Sequence, residues 1–176
     1  MQWRNLDEKD VFTTTWFSLR LADVELPDGR HLDHYLLRHS PTVVATIVDE
    51  QDRVLMLWRH RFITDTWSYE FAAGAVEPGE SIEDAARREM LEETGWRADE
   101  LRHLVTVEPQ NGFSDSVHHV YWAEHGEYTG PPVDDFESDR IDWVPLKDAP
   151  DMIARGEVRS ANAVTGLLLL HRLRGV

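Results

Sequence analysis

Residues 74–96 read GAVEPGESIEDAARREMLEETGW. Ser81 is a good N-cap with Asp84 three positions on, Ala85, Ala86, Met90 and Leu91 favour helix, and Gly95 is a natural stop. The spacing predicts a helix over 82–94. At about 100° per residue, Ile82 and Ala86 define one face with Ala85 on its flank. Glu89 and Glu93 fall on that same azimuth, and Glu92 lies beside Ala85. The face that should be buried is therefore apolar in its first half and carboxylate in its second, whereas a merely solvated acidic face would lie opposite the apolar one. Carboxylates at i, i+3 and i+4 bring several oxygens within reach of one point. Like charges so close and half out of water are unfavourable unless a cation neutralises them. The cation that suits oxygen donors alone is Mg²⁺ or Mn²⁺. The helix by itself is equally compatible with an ordinary Glu-rich surface held by pairs such as Asp84–Arg88.

Working outward, Ala72-Ala73-Gly74-Ala75 ends a strand in small residues that permit close backbone approach, and Pro78-Gly79 makes a loop leading to Ser81. Upstream, 66–72 alternates with a period of two, and 42–48 and 54–60 are apolar and β-branched enough for central strands. Segments 13–26 and 31–38 flank Pro27-Asp28-Gly29 and predict an N-terminal hairpin. Downstream, strands are expected at 104–108, 117–123 and 141–144, and helices at 150–154 and 161–173. The pattern is an α/β or α+β sandwich with a mixed sheet. Residues 1–40 form the hairpin region and 41–176 the main domain, one globular domain overall.

Composition narrows the chemistry. The chain has 176 residues and no cysteine, which removes disulfides, thiol nucleophiles and iron–sulfur clusters. Eighteen Lys+Arg against 33 Asp+Glu leave a net charge of −15, a surface that repels nucleic acid and anionic membranes. No apolar run approaches the length of a membrane span, and the first residues lack the basic flank and apolar core of a signal peptide. The expectation is a cytoplasmic protein with neither nucleic acid nor membrane as partner.

Residues 74–96 resemble the Nudix box, G-x₅-E-x₇-R-E-U-x-E-E-x-G-U with U a bulky apolar residue. Gly74, Glu80, Arg88, Glu89, Met90, Glu92, Glu93, Gly95 and Trp96 match it without a gap. The resemblance implies a Nudix-type α/β/α sandwich and Mg²⁺-dependent hydrolysis, with Mn²⁺ as the alternative ion, of a nucleoside diphosphate linked to another moiety. It makes Glu89 and Glu93 direct metal ligands and Glu92 a further one, with the Ala73 or Gly74 carbonyl as backbone ligand. Arg88 orients the glutamates, while Glu80 and Gly95 are structural within the motif.

Outside the box the chain is similar to ADP-ribose pyrophosphatases, with a P-D-G hairpin followed by an Arg-containing strand end, Trp58-Arg59-His60-Arg61. Ala72 stands where that group generally has Pro. The resemblance gives Arg61, or alternatively Arg59, as the diphosphate contact. Glu70, Gly74, Gly112 and Ser114 complete the substrate-binding set, the last two in the Glu108–Asp115 loop that is similar to the group's cover over the terminal ribose. Among the acids 134–139, Glu137 is the first choice to assist the attacking water and Asp135 the second. The implied reaction converts ADP-ribose to AMP and ribose 5-phosphate, and the implied assembly is a homodimer built through the N-terminal hairpins. Another nucleoside diphosphate derivative as substrate is one alternative, and a non-catalytic sensor of ADP-ribose or NAD derivatives is the other.

Overall fold

The computed structural model describes residues 1–133 and 136–176. The chain forms two compact units, one of residues 1–41 with 108–117 and one of residues 42–107 with 118–176.

In the first unit, β1 (Arg4–Thr13), β2 (Phe17–Glu25) and β3 (His31–His39) make an antiparallel sheet in that order. β2 and β3 are the expected hairpin, turning at Gly29 with φ 82°. β1 lies outside the expectation. Its sequence, RNLDEKDVFT, has no run of alternating apolar residues. Ion pairs across the ladder hold it instead, Arg4 with Glu25 and Glu8 with Arg20 and Arg38. Residues 108–117 lie along β3, where Leu37 N donates to Phe113 O at 2.9 Å and Arg38 Nη1 meets Asp115 Oδ2 at 3.0 Å.

The second unit holds two sheets between helices. β4 (Thr42–Ile47), β7 (Ala72–Ala75), β9 (Arg102–Val107) and β10 (His118–Ala123) form one in the order β7-β4-β10-β9, with β4 and β10 parallel. β5 (Arg53–Arg61), β6 (Thr66–Glu70) and β12 (Arg140–Pro145) form the other in the order β12-β5-β6. The short pair β8 (Trp96–Arg97) and β11 (Glu127–Tyr128) follows α1 (Ile82–Thr94). The expected single strand 66–72 is broken at Phe71, so that β6 and β7 belong to different sheets. Phe71 is buried, and its ring lies where a side chain on Gly166 of α3 (Ala161–Arg174) would stand, 2.5 Å from that Cβ position.

Alternation along the strands divides the core in two. Val44, Val54, Met56 and Val120 pack against Met152 of α2 (Ala149–Ala154) and Ala163, Leu167 and Leu170 of α3. Val43, Ala45, Leu55 and Leu57 pack against Ala85, Ala86 and Met90 of α1. The result is an α/β/α sandwich with a mixed sheet, and it places the face of β5 that continues from Leu57 to Arg59 and Arg61 on the side of α1.

Candidate active site

α1 begins and ends as its sequence predicts. Ser81 Oγ accepts from Asp84 N at 3.1 Å, and Gly95 closes the helix at φ 72°, its N–H donating to Leu91 O. Asp84 pairs with Arg87 at 3.1 Å, not with Arg88. Arg88 turns to the opposite flank and gathers the motif's acids. Its Nε and Nη2 donate to Glu80, each at 2.9 Å, its Nη1 to Glu89 at 2.6 Å and to Glu92 at 3.0 Å, and its Nη2 to Ala75 O at 3.1 Å. Glu80 Oε2 also accepts from Glu77 N at 3.1 Å, which ties the loop to the helix. Three carboxylates around one guanidinium raise its pKa far above the ordinary arginine value, and the hydrogen bonds from Arg88 pull Glu80 below the ordinary carboxylate range.

The end of β7 lies under the helix. A Cβ on Gly74 would stand 2.0 Å from Glu89 Oε1, so only glycine leaves room for that carboxylate over the backbone. Burial pushes the Glu89 carboxyl up, Arg88 works against that, and Glu92 and Glu137 add to it. Glu93 is 3% exposed. Its Oε2 accepts from Arg59 Nη2 at 2.8 Å and from Ala73 N at 3.2 Å. Burial pushes its pKa up to about 7, Arg59 lowers it and Glu137 raises it again.

Strand β5 supplies the cations. Arg59 is 2% exposed, facing Glu93 on one side and Glu137 Oε2 at 3.7 Å on the other. Arg61 is half exposed and binds Glu70, Nη2 to Oε2 at 2.6 Å, and Ser68 Oγ lies 3.5 Å from Glu70 Oε1. Ser68 is the member of this face that the sequence reading does not single out, although its spacing of two from Glu70 puts it there. Ala73, Gly74, Glu80, Arg88, Glu89, Glu92, Glu93, Arg59, Arg61, Glu70 and Glu137 all belong to the second unit. Asp134 and Asp135 lie outside the described residues. Gly112 and Ser114 belong to the first unit, in the turn where Ser114 N donates to Gln110 O at 2.8 Å.

Among the described residues no three His, Asp or Glu side chains stand at the spacing of a closed metal cage. Their oxygens rest on Arg59 and Arg88 instead. The donor set nevertheless fits a hard divalent cation: it is all oxygen, it crowds like charges that burial has already made costly, and Gly74 keeps the floor clear beneath Glu89.

Comparison with known proteins identifies the family and the fold. The NUDIX domain model matches residues 38–165, and the model of the nucleoside diphosphate sugar hydrolase N-terminal domain matches residues 3–37. The chain is 35% identical over 175 residues, 99% of its length and 85% of the relative's, to a CMP-5'-(N-acetyl-N-hydroxy-3-aminopropyl)phosphonate hydrolase of Streptomyces rubellomurinus. It is 27% identical over 173 residues, 97% of its length and 94% of the relative's, to an ADP-ribose pyrophosphatase of Bacillus subtilis. A crystal structure of an ADP compounds hydrolase shares its fold, with a TM-score of 0.83 at 22% identity, covering 99% of this chain and 96% of that one.

Proposed function

This chain belongs to the Nudix family and is a pyrophosphohydrolase, and from that premise we propose that it hydrolyses the diphosphate of a nucleoside diphosphate sugar, with ADP-ribose as substrate and AMP and ribose 5-phosphate as products. The observation that carries the reading is the gathering of three α1 carboxylates, Glu89 and Glu92 on Arg88 with Glu89 over Gly74 and Glu93 on buried Arg59, next to a half-exposed arginine on β5. Support for the sugar comes from the N-terminal domain match and from the ADP-ribose pyrophosphatase relatives.

Glu89, Glu92, Glu93 and the Ala73 carbonyl would hold Mg²⁺, or Mn²⁺ in its place, and the bound ion supplies charge neutralisation at the phosphates and a more acidic water. The protein's own groups do the rest. Arg61 grips the diphosphate, exchanging part of its bond to Glu70 for phosphate oxygens. Glu137 takes the proton of the attacking water as its oxygen bonds to phosphorus and the bridging oxygen leaves with the second phosphate. Arg88 and Glu80 hold the ligands in register. Gly112 and Ser114 remain proposed contacts of the sugar.

The test is hydrolysis of a panel of nucleoside diphosphate derivatives with Mg²⁺ and with EDTA. ADP-ribose should turn over fastest, and chelation should abolish turnover. Full activity after exhaustive chelation overturns the metal site. A CMP-linked phosphonate belongs in the panel because of the 35% identical relative, and its preference over ADP-ribose would move the assignment to that chemistry. Arg61→Ala should lower kcat/KM on the preferred diphosphate by about 2 kcal/mol, roughly thirtyfold, with the fold intact. Unchanged kinetics would remove Arg61 from the substrate contact.

A further inference from the structure

We propose that Arg59 is a positioning residue that fixes the orientation of Glu93 and ties it to Glu137, and that it does not touch the substrate. The proposal rests on the reading of the α1 carboxylates as metal ligands.

Arg59 continues the alternation of Leu55 and Leu57 toward α1, so β5 delivers its guanidinium beneath the helix at 2% exposure. A cation held that deep requires matching anions. It has two, on different elements. Nη2 lies 2.8 Å from Glu93 Oε2 on α1, and Nη1 lies 3.7 Å from Glu137 Oε2 in the segment before β12. One rigid planar group therefore spans the helix and the loop, a geometry that the point charge of a lysine does not reproduce.

The two oxygens of Glu93 are treated unequally. Oε2 accepts from both Arg59 Nη2 and Ala73 N, at 2.8 and 3.2 Å, whereas Oε1 lies 3.5 Å from Arg59 Nη1, at the limit of a hydrogen bond. Oε2 takes both close donors and Oε1 only the distant guanidinium nitrogen, which is the division a metal-ligating carboxylate needs from the groups behind it. Arg59 Nε is buried and has no acceptor among the described residues, so the carboxylates set the guanidinium's place. Arg61, two residues on along the same face, is half exposed and open to a substrate where Arg59 is not.

The test compares Arg59→Met, Arg59→Lys and Glu93→Gln in the whole protein, using Mn²⁺ binding followed by loss of the free-ion EPR signal together with steady-state kinetics. Arg59→Met should weaken Mn²⁺ binding about tenfold to a hundredfold and lower kcat. The KM for nucleotide should stay within about twofold, since substrate binding does not run through this side chain. Arg59→Lys should recover part of both losses, and Arg59→Met should add nothing to the Mn²⁺ defect of Glu93→Gln. A raised KM with normal Mn²⁺ affinity would make Arg59 a substrate contact and overturn the proposal. Wild-type Mn²⁺ affinity in both Arg59 variants, with Glu93→Gln defective, overturns it while leaving the metal reading standing. Wild-type affinity in Glu93→Gln itself overturns the metal reading. If Arg59→Met does not fold, Arg59→Lys decides: wild-type Mn²⁺ affinity and kcat in that variant overturn the proposal.

Discussion

A methyl group on Gly74 would stand 2.0 Å from Glu89 Oε1. The obstacle is the far end of a flexible side chain, so Gly74→Ala should fold, with a melting curve in EDTA that shifts by no more than about 1 kcal/mol. It cannot leave Glu89 where it is. The Mg²⁺-induced gain in melting temperature and the hydrolytic rate should both fall, the latter by tenfold or more, and a variant with wild-type values for both would detach Glu89 from the metal. Glu93 asks a different question. Crowding of like charges alone suggests that neutralising it relieves strain. The structure places it against buried Arg59, so Glu93→Gln leaves that cation with only the more distant Glu137. We expect a loss of about 2 kcal/mol in EDTA, from the charge-assisted hydrogen bond that is removed, together with loss of the Mg²⁺ response and a drop of orders of magnitude in rate. Paired melting curves with and without Mg²⁺ check this, and an unchanged Mg²⁺ shift would make Glu93 a structural acid.

Elements differ in how openly the sequence announces them. α1 is legible to the residue because everything that defines it is local: a serine cap, small apolar residues at helical spacing and a glycine at φ 72°. β1 is not, because its partners are remote. Glu8 meets Arg20 of β2 and Arg38 of β3, and nothing in RNLDEKDVFT foretells them. The break at Phe71 is hidden for the same reason, since it depends on Gly166 nearly a hundred residues later. The site divides along the same line. The glutamates and Arg88 follow from a contiguous motif, while the burial of Arg59 against Glu93 arises from strand and helix meeting in space. Glu8 also sets an acid limit on its sheet. Its bond to Arg38 holds its carboxyl below the ordinary range. The stabilisation is therefore complete above the carboxylate's unfolded value and is lost as pH falls through the lower folded one. Unfolding of the wild type and Glu8→Gln across acidic pH should show curves that lie apart at neutrality and converge in acid; parallel curves would show that the pair contributes nothing.

At the scale of the whole molecule, a net charge of −15 keeps copies apart unless an apolar surface draws them together. The first unit exposes large apolar side chains: Trp3, Phe12 and Trp16 are 56, 57 and 78% exposed. We expect a homodimer through this unit. Light scattering on a sizing column should give twice the chain mass, and Phe12→Asp with Trp16→Asp should give the monomer; a monomeric wild type would end the expectation. The parallel pairing of β4 with β10 carries a consequence for how the enzyme is made. Thr42 aligns with His118, and the core beneath that sheet is closed by Ala163, Leu167 and Leu170 near the C-terminus. A chain emerging from the ribosome therefore completes α1 together with the strands it packs on, β4, β5 and β7, before β10 and α3 of the opposite face have been synthesised. Contacts this far apart along the chain form slowly and late. The carboxylates of α1 can thus meet Arg59 and Arg88 before β4 has its parallel partner, and the far side of the core closes around a face that is already in place.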